Sequence, residues 1–264
     1  MGKQTVPDRL IGCWHRRYIR YKEGAEDTST RVIWLQTLSG MCDVRISAQR
    51  PDFSERRQLS DCSDDELIVL AQQDCACAIS ILDETAKPYP TATWESGASG
   101  FMYQPVINFP EHGWFEWKEH GTCMLEYAPS GAYTEDWRLQ DNSRNLAAHL
   151  VCRDSETTTN LYVAGAHAML AVNRVMAIDK ERPLQELVAE CMDDRHRVHA
   201  YLDMEFSYAK SDNDNDYEIV LSTLPWKEGQ TLSLDWVSGF DEDVPVMTDN
   251  KGNKWDIISF RPDK

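Results

Sequence analysis

The sequence lacks the short motifs by which several common catalytic and nucleotide-binding sites are recognised. It contains no C-x-x-C pair, no P-loop, no G-x-G-x-x-G loop, no H-E-x-x-H and no G-x-S-x-G. These absences remove the sequence grounds for a thioredoxin-like redox site, a nucleotide site, a zinc protease and a serine hydrolase. We therefore expect no cofactor and no bound metal.

Basic residues are few in relation to acidic ones. The chain has 27 Lys and Arg against 44 Asp and Glu, which gives a formal net charge of −17. Such a charge repels phosphate backbones and anionic lipid, and no basic stripe interrupts it. We expect neither nucleic acid nor a membrane among the partners.

Long apolar runs are also missing, and the first residues, MGKQTVPDRLIGCW, lack the apolar segment of a signal peptide. We therefore expect a cytoplasmic protein. The eight cysteines are scattered among apolar neighbours, as expected of small buried hydrophobes. Cys75 and Cys77 would share a face of a strand and suggest a metal or redox pair, but two further ligands at suitable spacing are absent.

The most informative stretch present is 119–140, which predicts a β-hairpin turning at Pro129, Ser130 and Gly131. Its arms alternate with period two, so a turn near Ser130 places Glu126 opposite Glu135. The same face would carry Met124 opposite Trp137, and Ala128 opposite Tyr133. Like charges directly opposite in a sheet need solvent, a cation or a shared proton. Either the pair forms a site, or the register is shifted by one residue, or both carboxylates face water.

The first half predicts an antiparallel meander with one helix. The helix begins at Ser63, because Ser63 and Glu66 have capping-box spacing before an apolar stripe, and it extends to about residue 73. The predicted strands are Gly12–Tyr21, Arg31–Thr37, Met41–Ser47, Cys75–Leu82, Thr91–Glu95 and Trp114–Glu119, followed by the hairpin. Six or seven such strands are typical of a small closed barrel. Trp34, Gln36, Asp43 and Arg45 would share one face, which is either solvated or the lining of a polar cavity.

The segment 140–145, QDNSRN, has no apolar residue, so the predicted domains are residues 1–141 and 142–264. The second half repeats the pattern, which predicts a second barrel with one short helix at 183–192.

Two residues of the second half are candidate ligand contacts. His167 lies in an apolar run among small residues, and Glu205 lies on the polar face of a predicted strand over Val198–Ala209. A lone histidine in such a run is also typical of a hydrogen-bonded core residue. His196 and His199, three apart, would diverge on a strand.

The order of several motifs resembles a known family. RLIGCW resembles the G-x-W signature of lipocalin-like (calycin) barrels. TATWESG, the segment Gly121–Trp137, FSYAK, STLPWKEGQTL and NKWDIISF follow in the order found in the fungal casein-kinase-interacting Hri proteins and their uncharacterised bacterial relatives. The resemblance implies an all-β chain of two consecutive antiparallel lipocalin-like barrels. It implies no reaction and supplies no catalytic residues.

Three functions remain open at this point. The first is a cytoplasmic binding protein holding a small apolar or aromatic molecule, with Trp34, Gln36, Asp43, Trp137, His167 and Glu205 as candidate contacts. The second is a cofactor-independent lyase or isomerase, in which Glu126, Glu135, Tyr133 and Arg45 move protons. The third is a protein-interaction scaffold without a ligand, and a homodimer is compatible with each. An ion pair between Arg45 and either glutamate would equally be explained as part of a buried network with a structural role only.

Overall fold

The computed structural model describes residues 4–106, 111–152, 156–212, 216–233, 246–248 and 252–262. The first of its two sheets contains ten strands, all before residue 140. These are β1 (Gly12–Tyr21), β2 (Glu26–Asp27), β3 (Arg31–Gln36), β4 (Gly40–Ile46), β5 (Asp74–Asp83), β6 (Thr91–Glu95), β7 (Phe101–Met102), β8 (Gly113–Lys118), β9 (Cys123–Tyr127) and β10 (Tyr133–Leu139).

Eight strands of this sheet close into an antiparallel barrel. Their order is β10-β9-β8-β6-β5-β4-β3-β1, and β1 pairs with β10 to complete the ring, while β2 and β7 add to β1 and β5. Closure satisfies the backbone groups that an open sheet would leave unpaired at its edges. The predicted barrel in the first half is confirmed.

The register of the β9–β10 hairpin is the one predicted from its alternation. Glu135 pairs with Glu126, and Trp137 pairs with Met124. The turn is made possible by Gly131, whose φ of 73° is costly for any residue with a side chain. The two glutamates therefore lie side by side on one face.

The second sheet contains eight strands, all after residue 146. These are β11 (Ala147–Cys152), β12 (Thr159–Ala164), β13 (His167–Val172), β14 (Glu205–Ser211), β15 (Asp216–Ser222), β16 (Thr231–Ser233), β17 (Val246–Thr248) and β18 (Lys254–Arg261). They are antiparallel, in the order β16-β15-β14-β13-β12-β11-β18-β17, with no closing pair among the described residues. The fold is all-β, as predicted. The sequence also predicts a loop at 212–216 (DNDND), a strand at 231–236 (TLSLDW) and a turn at 249–253 (DNKGN), and these three segments lie partly outside the described residues.

Three short helices accompany the sheets: α1 (Asp64–Ala71), α2 (Leu184–Glu190) and α3 (Arg195–Leu202). The capping box predicted for α1 is present, because Ser63 accepts from the Glu66 N–H and Glu66 accepts from the Ser63 N–H. Two of these helices lie in the described part of the second half, where one was predicted.

The prediction of a strand over Val198–Ala209 is wrong in its first half. Asp194 caps a helix there by accepting a hydrogen bond from the Arg197 N–H, and the strand begins only at Glu205. Alternation over 198–202 is equally compatible with the helical spacing of Val198, Tyr201 and Leu202, which are the buried residues of α3. The segment forms a helix because these three side chains then pack together into the core shared by the two halves.

Strands β3 and β4 are buried on both faces. Val32, Trp34 and Met41 belong to the core inside the barrel, while Leu35 and Val44 belong to a core shared with the second half. Strands β12, β13 and β14 contact β3 and β4 from outside, and all three helices add to the same shared core. This explains why β3 contains the continuous apolar run VIWL, although a barrel wall facing water would alternate. In β4, Asp43 and Arg45 of the cavity lining alternate with the apolar residues that face the second half.

The division into domains 1–141 and 142–264 stays a prediction. The two sheets fall on either side of that boundary, but their shared core joins them. In the described ranges, no helix has both the length and the apolar character needed to cross a membrane.

Candidate functional site

A cavity of about 310 Å³ lies inside the first barrel. Strands β1, β3 to β7, β9 and β10 contribute to its lining, which combines aromatic and thioether side chains with several charged ones. The lining residues are Ile19, Trp34, Met41, Asp43, Arg45, Asp74, Ala76, Trp94, Met102, Glu126, Tyr133, Glu135 and Trp137.

Three tryptophans form the apolar wall of this barrel cavity. The ring of Trp34 lies edge-on to the rings of Trp137 and Trp94, with centroid separations of 5.5 and 6.3 Å. The Nε1 donors of Trp34 and Trp94 are buried and have no hydrogen-bond partner in the described part of the chain. Such donors are costly unless a ligand or water accepts from them.

Glu126 lies opposite Glu135 and is almost completely buried, with 4% of its surface exposed. Its Oε2 accepts a hydrogen bond from Trp137 Nε1 at 3.1 Å, and its Oε1 accepts from the Tyr133 hydroxyl at 3.4 Å. Burial, reinforced by the neighbouring charge of Glu135, raises the pKa of Glu126 to about 8. This carboxyl is therefore neutral at pH 7 and able to donate a proton.

Glu135 has a partner that was not predicted from the sequence. Arg16 Nη1 lies 2.7 Å from Glu135 Oε1, both side chains are under 10% exposed, and Arg16 Nη2 lies 3.4 Å from Asp27 Oδ2. Arg16 reaches this position because the closing β1–β10 pair sets it opposite Trp137. Only knowledge of that non-local pairing would have placed Arg16 beside the predicted carboxylates.

The opposite side of the cavity carries a second ion pair. Asp43 is buried and accepts hydrogen bonds from Arg45 Nε and from the Ala76 N–H, each at 2.7 Å. Burial raises the pKa of Asp43, and the Asp43 carboxylate raises the pKa of Arg45. The Arg45 side chain is 36% exposed and Asp74 beside it is exposed, so this side opens to solvent.

Seven of the ten predicted site residues meet around this cavity. They are Trp34, Asp43, Arg45, Glu126, Tyr133, Glu135 and Trp137. Their roles in binding or catalysis stay predictions. Asp74, Trp94 and Met102 also line the cavity, and they were not among the residues predicted from the sequence.

Gln36 lies outside the cavity lining. Its amide nitrogen donates to the carbonyl oxygens of Thr37, Ser39 and Gly40 and so holds the turn between β3 and β4. Alternation along β3 puts Gln36 on the same face as Trp34, but the strand ends at this residue and the side chain folds back onto the turn.

His167 lies in the second sheet, away from the barrel cavity. Its Nδ1 is 2.7 Å from the Tyr208 hydroxyl and its Nε2 is 2.9 Å from the Asp141 carbonyl oxygen. Burial lowers the pKa of His167. Both ring nitrogens are used in contacts within the chain, which is the arrangement of a hydrogen-bonded core histidine rather than of a ligand contact.

We expect His167→Phe to lower the free energy of unfolding by about 2 kcal/mol, because it leaves two buried polar groups unpaired. Urea denaturation followed by fluorescence measures the change. The exposed His112 provides the control, since His112→Phe removes no hydrogen bond. A stability for His167→Phe equal to that of the control would contradict the role assigned to this histidine.

Glu205, the last candidate, lies at the start of β14 beside a surface groove. Its Oε1 accepts a 2.6 Å hydrogen bond from the Ser207 hydroxyl, and its Oε2 lies 3.7 Å from Lys227 Nζ. The groove also contains His196, His199 and Asp203, which the helical geometry of α3 brings to one side. In the described residues, however, no three histidine, cysteine or acidic side chains are arranged to hold a metal ion.

All eight cysteines lie in the described ranges, and seven of them are buried. Cys42 and Cys77 pair directly across β4 and β5, on the face turned toward the second half. Burial raises the pKa of both thiols, so these cysteines act as small core residues.

Comparison with known proteins gives only a likeness of fold. No family model matches the sequence, and no curated protein matches it. The structure is similar to the crystal structure of the uncharacterised protein YLR301w from Saccharomyces cerevisiae, with a TM-score of 0.53. The match covers 95% of this chain and 98% of that chain at 11% sequence identity, so it bears on architecture alone.

Proposed function

We propose that this protein binds a small aromatic molecule in the cavity of its first barrel. The observation that carries the proposal is that Trp34 and Trp94, which both line that cavity, have buried Nε1 donors without a hydrogen-bond partner in the described residues. A binding pocket typically combines apolar walls with a few polar groups that orient the ligand. The indole rings favour a flat ligand, and their free N–H groups favour one with hydrogen-bond acceptors.

The charges around the cavity further restrict the chemical class of ligand that it can bind. Arg45 is paired with Asp43, Arg16 is paired with Glu135, and burial together with the Glu135 charge keeps Glu126 neutral at pH 7. Among the residues that line this cavity, no buried cation is left over for an anionic ligand. An uncharged aromatic compound with a carbonyl or similar acceptor suits this lining best, and the open side near Arg45 gives it a route of entry.

Binding of an uncharged aromatic ketone dye, 6-propionyl-2-dimethylaminonaphthalene, tests the proposal. We expect saturable binding with a blue-shifted emission, and an affinity about tenfold weaker in Trp34→Phe, since one hydrogen bond is worth roughly 1.4 kcal/mol. Native mass spectrometry of freshly purified protein tests separately for a retained small molecule.

Trp117 provides a matched control. Its Nε1 is also buried without a partner, but Trp117 is not part of the cavity lining. Trp117→Phe should therefore leave dye affinity unchanged. Equal losses in Trp34→Phe and Trp117→Phe, or no saturable binding to the unmodified protein, would refute a site in the barrel and favour a scaffold.

A second candidate function, a cofactor-independent isomerase or lyase, is favoured by the raised pKa of Glu126. A carboxyl that titrates near neutral pH is suited to donate and accept protons. Incubation of the retained molecule with protein in D₂O discriminates between the two functions. An isomerase incorporates carbon-bound deuterium that persists on return to water, and Glu126→Gln abolishes the incorporation. A binding protein leaves the molecule unlabelled.

We also propose that the chain is related to the Hri-type proteins. The order in which the sequence motifs follow one another is the sole support for this relationship. The lipocalin-like character of both halves and a cytoplasmic location are parts of the same proposal. The likeness to the yeast structure supports only the overall fold.

A further inference from the structure

A second pocket, of about 300 Å³, lies outside the barrel where the two halves meet. It is bounded on one side by the end of β7 and on the other by residues 173–180, which follow β13. Met102 lines this pocket and also the barrel cavity, so the two spaces are neighbours.

The pocket contains a buried arginine without a counter-ion. Arg174 is 7% exposed, and its Nη2 donates to the Tyr103 carbonyl oxygen at 2.5 Å and contacts Met204 Sδ at 3.0 Å. Its Nε is buried without a partner, and no carboxylate in the described residues forms an ion pair with it. The guanidinium also lies over the Tyr103 ring, at 5.6 Å from the centroid.

A buried charge is normally paired with an opposite charge. Removing the charge from water costs more free energy than hydrogen bonds to neutral groups recover. The Tyr103 carbonyl and ring offset part of this cost for Arg174. Burial lowers the pKa of Arg174, although a guanidinium stays charged at pH 7. An anion in the pocket would supply the missing negative charge.

The charges of the lining agree with an anionic ligand. Lys180 lies at the exposed rim and is the second basic residue of the pocket, while none of the lining residues is acidic. The adjacent Asp179 is not part of the lining, and its carboxylate accepts a hydrogen bond from the Glu181 N–H. The chain as a whole has a net charge of −17, whereas this pocket is lined by two cations and no carboxylate.

The remaining walls are apolar. Phe101, Met102, Met176 and Ile178 line the pocket, and Val175 beside them is 75% exposed, the largest exposure of any described large hydrophobic residue. An apolar surface next to a guanidinium fits a molecule with a hydrocarbon body and a carboxylate head, which the guanidinium attracts through its charge.

We propose that this pocket is a second binding site, which takes a small organic acid with its carboxylate on Arg174 and its apolar body against Met102, Val175 and Ile178. Lys180 contributes at the rim. The site is distinct from the aromatic-ligand site in the barrel, because it has its own cation.

Calorimetric titration of the full chain with octanoate tests the proposal. We expect one equivalent to bind saturably, with 1-octanol and octylamine binding at least about tenfold more weakly because they lack the anionic head. Arg174→Gln should weaken octanoate binding by about tenfold or more, and Arg174→Lys should weaken it less. Lys180→Gln, at the exposed rim, should weaken it by about threefold.

Lys87→Gln is the matched control, since Lys87 is exposed and is not part of this lining. It should leave octanoate affinity unchanged. If Arg174→Gln does not fold, the Lys180 variant and the comparison of octanoate with octanol still decide the question. Equal binding of octanoate and octanol, equal effects of the Lys180 and Lys87 variants, or no saturable octanoate binding would overturn the proposal. So would loss of octanoate binding in Trp34→Phe, which would place the acid in the barrel cavity instead.

Discussion

Replacement of Glu135 by glutamine is expected to lower the free energy of unfolding by about 3 kcal/mol at pH 7, the usual cost of removing one member of a buried ion pair. The change leaves Arg16 buried with only Asp27, at 3.4 Å, as a charged partner. Urea denaturation at constant pH measures the loss.

Glu126→Gln is the matched control, because it makes the same chemical change directly opposite on the neighbouring strand. Glu126 has no arginine within ion-pair distance among the described residues, and its carboxyl is neutral at pH 7. We therefore expect that variant to keep or increase the stability of the protein. Stabilisation by Glu135→Gln would contradict this account, since it would mean that repulsion between the glutamates outweighs the contact with Arg16.

The second large effect is a loss of stability as pH rises from about 5 to 8. Glu126 stays protonated in the folded chain up to about pH 8, whereas in the unfolded chain it ionises above its ordinary pKa of 4.5. The folded chain thus holds one more proton across this window, so the free energy of unfolding falls with pH. The contribution of Glu126 is fully present below pH 4.5 and is lost as pH rises through the folded pKa.

The slope for one proton is about 1 kcal/mol per pH unit, and the difference in stability between the unmodified protein and Glu126→Gln isolates it. Groups that do not interact with Glu126 cancel in that difference. They include His15, whose pKa is lowered to about 4 by burial and which destabilises the folded chain at acid pH instead. If the free energy of unfolding changes with pH in the same way in both proteins, the pKa of Glu126 is not raised by folding, which would contradict this prediction.

Local patterns predicted much of the first barrel. The period-two alternation and the turn at Gly131 were sufficient to pair Glu126 with Glu135, and the Ser63–Glu66 capping box was sufficient to place the start of α1. These features depend on residues close together in the sequence, where turn geometry and caps determine the outcome.

Features that depend on distant parts of the chain were not predicted. Arg16 joins the site through the closing β1–β10 pair, and Met102 joins it through the two-residue strand β7. The segment Arg195–Leu202 alternates as a strand would, but it packs as a helix because Val198, Tyr201 and Leu202 enter the shared core. In each case the deciding contact lies far away in sequence, so no short window contains the signal.

The burial of β3 and β4 on both faces has a consequence for how this sequence tolerates change during evolution. In a barrel wall that faces water, outward positions accept many residues, whereas here Leu35, Cys42 and Val44 face outward into the core shared with the second half. An insertion or deletion of one residue would exchange the two faces. Asp43 and Arg45 would then enter the apolar contact between the halves, while Cys42 and Val44 would enter the cavity. Relatives that keep this architecture should therefore conserve the length of β3 and β4 more strictly than their residue identities.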